Sequence, residues 1–335
     1  MNRNETDAVN SRDATPDSAE DGLLAYAARV ADDDLFLEPN IGKPTEKVGY
    51  FADQAGFDRF CAAYTHGMAQ LPDYAERVAV PTSFGPVRAY RFGDGGGIPV
   101  VLLSGRQAST PMWRSNLPSL IPGRTIWSID SIGEPGASTQ REPLVAASEQ
   151  AAWVAEALAG LDLERAHLLG ASVGGWLALR VAIHRPERAA SVTLLDPANS
   201  FAPLSWKMVG VSLGTVIPGV PESIRHRLLS EISGGGEVDE TIPEGRLIAS
   251  GMRDYRSAQP LPVRPTAAEL EAINVPVLAL FGGRSIAHSA SRAADTARTI
   301  PGAQVEVWDD ASHAISGEFP DRITKRFTEF TTPIP

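Results

Sequence analysis

A serine between glycines is the first candidate for chemistry in this sequence. Ser172 stands in the string Gly-Ala-Ser-Val-Gly at 170–174, after the apolar residues 167–169 and before a run with helical spacing at 176–181. A sharp strand-to-helix turn of this kind lifts a serine hydroxyl above a sheet, at the N-terminal end of a helix. The pattern predicts Ser172 as a nucleophile. A glycine-rich turn without chemistry is the alternative.

A serine hydroxyl attacks a substrate only when a base takes its proton, so a histidine is expected downstream. Of the six histidines, His313 fits best, because it lies five residues beyond the last predicted strand, where a loop can return it over the strand ends. A surface position in that loop is the alternative. His288 follows the strand that ends at Phe281 and is expected to line the same cavity. The remaining candidates are read as surface or packing residues: His66, His184 and His226.

The elements that must position these side chains alternate between strands and helices. Apolar runs predict strands at 98–103, 125–129, 166–170 and 190–195, and helical spacing predicts helices at 144–159 and 174–184. A hairpin at 77–91 precedes them, and strands at 275–281 and 305–308 follow. This order predicts an α/β fold with a doubly wound, mostly parallel eight-stranded sheet.

The pattern also predicts a division of the chain into four parts. Residues 1–20 have almost no large apolar side chains and are expected to be a disordered tail, and 21–75 to form a helical extension. Residues 199–273 lack sheet character but are too many for one loop, so they predict a helical cap inserted into the sheet domain. The core would then comprise 76–198 and 274–335.

Composition excludes several classes of protein. A net charge of −11 disfavours binding to nucleic acid, and no apolar run reaches the roughly 18 residues of a membrane span. Cys61 is the single cysteine, so the chain has no internal disulfide and no thiolate metal site. The polar, acidic start does not resemble a signal peptide, and we expect a cytoplasmic protein that needs no metal.

From residue 81 onward, the sequence resembles the α/β-hydrolase superfamily and, more narrowly, bacterial carboxylesterases with a helical cap. The matching stretches stand in the family's order at 102–105, 111–113, 130–136, 170–175, 185–188, 276–282 and 312–313. The resemblance implies the α/β-hydrolase fold, a serine hydrolase with a catalytic triad and an oxyanion hole, a small-molecule ester as substrate, and no cofactor. It leaves the oligomeric state undetermined.

The predicted oxyanion hole departs from the family. Where family members have His-Gly, this chain has Ser104-Gly105, so the resemblance makes the backbone N–H of Arg106 one donor and that of Val173 the other. The side chain of Arg106 adds a cation that the usual aliphatic residue lacks. We expect it either to face a substrate carboxylate or enolate, or to point into solvent.

The predicted triad acid departs as well. The family places an acid just after the seventh strand, where this chain has Gly-Gly-Arg-Ser at 282–285, and Ser285 cannot balance an imidazolium. Asp196 follows the sixth strand, a position that some lipases and dehalogenases of the superfamily use, so we predict the triad Ser172, Asp196 and His313. The alternative for Asp196 is a turn or helix-opening residue before Pro197. Asp309 and Asp310 are too near His313 in sequence to reach its Nδ1.

Large apolar residues predict the substrate class. Met112 and Trp113 near the oxyanion loop, Trp206 in the cap, and His288 are expected to form an apolar pocket for a hydrophobic ester, unless the apolar residues only form the cap's own core. Two other functions remain open. One is a biosynthetic lyase or cyclase in which His313 removes a carbon-bound proton, and the other is a non-catalytic ligand-binding receptor.

Overall fold

The computed structural model describes residues 35–216 and 242–332, together with Ile224, Arg227 and Ser230. The predicted tail at 1–20 and the helical residues predicted near 23–30 lie outside this part. An eight-stranded sheet forms the centre, in the order β10-β9-β7-β6-β4-β5-β3-β2. Its strands are β2 (Glu76–Val80), β3 (Val87–Phe92), β4 (Val100–Leu103), β5 (Ile126–Ile129), β6 (Ala166–Ala171), β7 (Ala189–Leu195), β9 (Val277–Gly282) and β10 (Gln304–Trp308).

Strand β3 runs antiparallel to both of its neighbours, whereas the other neighbouring pairs are parallel. The predicted mostly parallel, doubly wound sheet is therefore confirmed. The α-helices are α1 (Gln54–Met68), α2 (Leu117–Leu120), α3 (Ala147–Gly160), α4 (Val173–His184), α5 (Trp206–Val216), α6 (Pro243–Asp254), α7 (Ala267–Glu271), α8 (Ala290–Ala297), α9 (Ile315–Glu318) and α10 (Pro320–Thr331). The described ranges 35–216 and 242–332 also contain two short 3₁₀ helices, Thr110–Trp113 and Pro186–Arg188.

Both faces of the sheet are buried. Side chains alternate along a strand, so Val101 and Leu103 of β4 join one apolar cluster while Val100 and Leu102 join the other. Helices α3 and α4 pack together, and their residues lie in the first cluster, whereas residues of α1 and α10 lie in the second. Strands covered on both sides read as unbroken apolar runs, which explains why their positions could be predicted.

The residues that precede the sheet pack against the segment that the sequence predicts as a cap. Helix α1 packs against α6, and strand β1 (Tyr50–Phe51) pairs antiparallel with β8 (Tyr255–Arg256). Arg59 on α1 donates to the buried carboxylate of Asp254 at the end of α6, at 2.6 Å. Within its described residues, segment 199–273 contains helices α5, α6 and α7 and also strand β8, which the sequence does not reveal. Two residues are too few to show a period of two.

Candidate active site

The turn between β6 and α4 holds Ser172 in a strained conformation. Its φ of 51° lies in the left-handed region, which costs energy in a residue with a side chain. Two glycines make the turn possible. A Cβ on Gly174 would lie 2.0 Å from the carbonyl oxygen of Leu103, and one on Gly170 would lie 2.2 Å from that of Gly174. The backbone can therefore pack tightly enough to raise the hydroxyl above the sheet.

The structure brings together the three side chains predicted as a triad. His313 lies in the loop after β10, and its Nε2 is 2.9 Å from Ser172 Oγ. Its Nδ1 is 2.5 Å from Asp196 Oδ2. Both ring nitrogens of His313 are thus engaged, one by a hydroxyl and the other by a carboxylate, and the Asp196 side chain is completely buried. A connected hydrogen-bonded chain runs from Ser172 to Asp196.

Further donors fix the carboxylate of Asp196. The N–H of Gly282 donates to Oδ1 at 3.0 Å, and the hydroxyl of Ser285 donates to Oδ2 at 2.6 Å. Burial raises the pKa of Asp196, but the hydrogen bond and charge of His313, with smaller contributions from His288 and Ser285, outweigh it, so that the pKa is lowered. The carboxylate is therefore ionised at neutral pH and can orient His313.

Ser285 has a role that the sequence does not reveal. It occupies the position where the resembled family places its acid, and here it donates to Asp196, which comes from the neighbouring strand. Its hydroxyl also accepts from the N–H of Ala287, at 3.2 Å. The order of strands in the sheet could have predicted this contact, because residues that follow adjacent parallel strands lie at the same edge of the sheet.

His288 lies behind the acid rather than in an open pocket. Its side chain is 1% exposed, and its Nε2 is 3.5 Å from Asp196 Oδ1. Its ring packs edge-on against Phe281, with centroids 5.7 Å apart. Burial lowers its pKa, a nearby His313 lowers it further, and Asp196 opposes the shift, so His288 is neutral at pH 7. The sequence predicts that His288 lines a substrate cavity, whereas the structure buries it beside Asp196 and Phe281.

The two predicted oxyanion donors lie next to one pocket. Both Arg106 and Val173 line it, and a Cβ on the neighbouring Gly105 would be 3.6 Å from that of Ser172. The guanidinium of Arg106 donates to the carbonyl of Pro260 at 3.2 Å, and its Nε lies 3.7 Å from Glu134 Oε1. Arg106 therefore spans the pocket rim, and does not simply extend into solvent.

Glu134 is the acidic group of this pocket. Burial raises the pKa of its carboxyl, while the charge of Arg106 and a hydrogen bond from the N–H of Gln107 lower it in part. The side chains that line the pocket combine polar and aromatic groups: Ser104, Arg106, Ser131, Ile132, Glu134, Gln150, Trp153, Val173, Trp176, Leu177, Gln259, Pro260 and Pro262. The amino-acid sequence alone does not show that the polar residues Ser131, Glu134, Gln150 and Gln259 line one pocket.

The residues predicted to form an apolar pocket are not among those that line this pocket. Trp113 is fully buried in the second apolar cluster, and Trp206 is 90% exposed at the start of α5. The sulfur of Met112 accepts from the N–H of Gly105 at 3.4 Å, beneath the oxyanion loop. The correction has a simple cause: an apolar side chain can face the core, a cavity or solvent, and composition does not distinguish these directions.

Two negative findings concern the described residues alone. Within 35–216 and 242–332, no three His, Cys, Asp or Glu side chains are grouped so that they could hold a metal ion. Among the helices of the same ranges, none combines the length and apolarity of a membrane span.

Known proteins share the fold of this chain. Residues 98–224 match the family model described as alpha/beta hydrolase fold. The crystal structure of the carboxylesterase CesB (YbfK) from Bacillus subtilis superposes with a TM-score of 0.76 at 26% identity, covering 84% of this chain and 99% of that one. The protein is a hydrolase with the α/β-hydrolase fold. This conclusion sets aside the non-catalytic receptor that the sequence left open.

The same carboxylesterase is also similar to the hydrolase in sequence, and a second carboxylesterase is similar in structure. Carboxylesterase YbfK of Bacillus subtilis (strain 168) is 27% identical over 282 residues, which are 81% of this chain and 93% of the relative. The naproxen esterase (carboxylesterase NP) of the same species superposes with a TM-score of 0.75 at 23% identity, over 82% of this chain and 98% of that structure. The hydrolase therefore resembles bacterial carboxylesterases, as its sequence motifs indicate.

Proposed function

We propose that this hydrolase cleaves a carboxylic ester of a small molecule through an acyl-enzyme on Ser172. The observation that carries the proposal is the connected chain of side chains from Ser172 Oγ through His313 to Asp196. Its order is that of nucleophile, base and acid. The similarity to carboxylesterases supports an ester as the substrate.

The geometry supports a two-step mechanism. His313 Nε2 takes the proton of Ser172 as its Oγ bonds to the ester carbonyl carbon, and the N–H groups of Arg106 and Val173 bind the oxyanion that forms. His313 then gives the proton to the leaving alkoxide, so that the alcohol departs and an acyl-enzyme remains. Water enters and attacks the acyl carbon while His313 takes one of its protons. His313 then returns that proton to Ser172 Oγ as the bond between Oγ and the acyl carbon breaks, which releases the acid and restores Ser172.

Asp196 keeps His313 in the state that this mechanism needs. Its carboxylate accepts a hydrogen bond from the Nδ1–H of His313. The proton of the imidazole stays on Nδ1, so Nε2 is free to receive a proton from Ser172. Gly282 and Ser285 donate to the same carboxylate and hold it in place. When His313 becomes positively charged, the buried carboxylate stabilises that charge.

The proposal is tested with a fluorophosphonate probe and with ester turnover in oxygen-labelled water. Wild-type protein is expected to carry the probe on Ser172 and to place one label in the released acid. Ser172→Ala should bind no probe and lose at least 99% of the activity, whereas the control Ser291→Ala changes an exposed hydroxyl and should keep both.

Two results would contradict the proposal. Full esterase activity in Ser172→Ala removes the nucleophile. Product without the label shows elimination with His313 as a base, which is the lyase reading that the sequence left open, and not hydrolysis.

A further inference from the structure

The pocket beside the predicted oxyanion donors is lined by residues with buried polar atoms that have no hydrogen-bond partner. The hydroxyls of Ser104 and Ser131 and the Oε1 atom of Glu134 make no hydrogen bond, although these residues are only 2%, 7% and 5% exposed. Buried polar groups in folded proteins nearly always have partners, since leaving them unpaired destabilises the fold. Three such atoms around one pocket indicate a ligand that supplies the partners.

One half of the Glu134 carboxylate is already used. Its Oε2 accepts from the N–H of Gln107 at 2.9 Å, which fixes the carboxylate against the loop that carries Arg106. Its other oxygen, Oε1, accepts no hydrogen bond, although Glu134 lines the pocket. A carboxylate oxygen accepts hydrogen bonds, so the missing partner is a donor.

The local charges indicate that this donor is uncharged. Arg106 Nε lies 3.7 Å from Glu134 Oε1, so the two opposite charges compensate each other without a ligand ion. A cationic group would face Arg106, and an anionic group would face Glu134. A hydroxyl avoids both conflicts, because it donates to the carboxylate and can also accept from Ser104 or Ser131.

The lining of the pocket also contains apolar side chains. Trp153 and Trp176 are among them, together with Pro260 and Pro262. The indole N–H of Trp153 donates to Gln150, and that of Trp176 to the carbonyl of Val263, so both rings are held in position. A lining that combines apolar rings with polar groups suits a short carbon chain that carries hydroxyl groups.

We propose that this pocket binds an uncharged, hydroxyl-bearing part of the substrate, and that Glu134 and Ser131 select for it. The inference rests on the proposed function, which supplies the ester bond. It replaces the hydrophobic substrate that the sequence predicts with an ester that is polar on one side. The hydroxyls can stand on the alcohol or on the acyl portion, and the same chemistry recognises either.

Two matched pairs of esters test the proposal through kcat/KM. One pair is 2,3-dihydroxypropyl butyrate and propyl butyrate, and the other is methyl 3,4-dihydroxybutyrate and methyl butyrate. In at least one pair, the wild-type protein should prefer the hydroxylated ester by tenfold or more, because a site built to bind a hydroxyl rejects an analogue without it. Equal rates within both pairs would overturn the proposal and leave ester hydrolysis standing.

Two variants locate the preference. Ser131→Ala removes a hydroxyl that has no partner in the fold, and Glu134→Gln replaces the acceptor Oε1 by a donor. Each should lower the ratio of the two rates in the preferred pair about tenfold. The controls Ser291→Ala and Glu329→Gln make the same changes on exposed side chains outside the pocket and should leave the ratio as in wild type.

The ratio separates recognition from damage to the fold. Glu134→Gln also alters the partner of the Gln107 N–H, so an equal loss on both esters of a pair would reveal a structural role for Glu134. Ser131→Ala breaks no side-chain bond and keeps the test decisive. An unchanged ratio in this variant contradicts the assignment of Ser131. Failure to hydrolyse any of the four esters, together with an unlabelled Ser172, would instead refute the proposed function.

Discussion

Replacing Asp196 with asparagine tests the acid of the proposed triad at nearly constant shape. The lost quantity is the attraction between the carboxylate and the imidazolium that His313 becomes during attack. Asp196 Oδ2 lies 2.5 Å from His313 Nδ1, which places the two charge centres about 4 Å apart. At an effective dielectric constant of about 20, unit charges at that distance attract by about 4 kcal/mol. Because about 1.4 kcal/mol corresponds to a factor of ten, kcat should fall roughly a thousandfold.

The assay is steady-state hydrolysis of p-nitrophenyl butyrate, with thermal unfolding of each variant measured beside it. Asp309→Asn is the matched control, because Asp309 is exposed and stands four residues before His313 in the chain. It should keep wild-type kcat. A loss of less than fivefold in folded Asp196→Asn would refute the reasoning, and so would an equal loss in Asp309→Asn.

A double variant examines the same point from the other side. Ser285 Oγ lies 2.6 Å from the oxygen of Asp196 that His313 also contacts, so a carboxylate at 285 would end close to the imidazole. Ser285→Asp added to Asp196→Asn should therefore recover kcat at least tenfold. No recovery in a folded double variant would show that the carboxylate must stand on β7.

Two further predictions concern the fold that carries the site. Gly174→Ala should abolish folded, probe-reactive protein, because its Cβ would lie 2.0 Å from the Leu103 carbonyl oxygen, whereas Gly96→Ala meets nothing within 4 Å and should unfold at the wild-type temperature. For His167, burial, with Arg165 and Arg124 adding to it, lowers the pKa to about 4 from 6.5. Below about pH 6.5 the unfolded chain gains a proton that the folded protein does not, so the melting temperature should decrease down to about pH 4, and less steeply in His167→Asn; an identical slope would contradict this.

The sheet could be predicted because its strands are buried on both faces. The apolar run at 98–103 contains β4 (Val100–Leu103), and that at 275–281 overlaps β9 (Val277–Gly282). The alternation of such runs with helical spacing gave the parallel topology, since crossovers between parallel strands need a helix. The convergence of Ser172, Asp196 and His313 follows from the same topology, because each comes after a strand at the carboxyl edge of the sheet. Their catalytic roles stay a prediction.

Side-chain direction is what the sequence could not supply. Trp113 and Trp206 are the same residue type, yet Trp113 is fully buried and Trp206 is 90% exposed. The polar pocket escaped prediction for a related reason. Ser131 and Glu134 stand in a stretch that resembles a family turn, and nothing in the order of residues shows that the Ser131 hydroxyl and Glu134 Oε1 make no hydrogen bond. The pairing of β1 with β8 could not be predicted either, because a strand of two residues shows no periodicity.

Asp196, the predicted acid, and Ser285 form a pair in which one supplies a carboxylate and the other donates a hydrogen bond to it. Strands β7 and β9 are parallel neighbours with Leu195 opposite Leu280, so the residues that follow them meet at one edge. We therefore expect a carboxylate that follows either strand to reach His313 without a movement of the base. Two buried carboxylates 2.6 Å apart would repel each other and force one to hold a proton. With aspartate at 196, a hydrogen-bond donor at 285 satisfies the charge instead, and serine provides it.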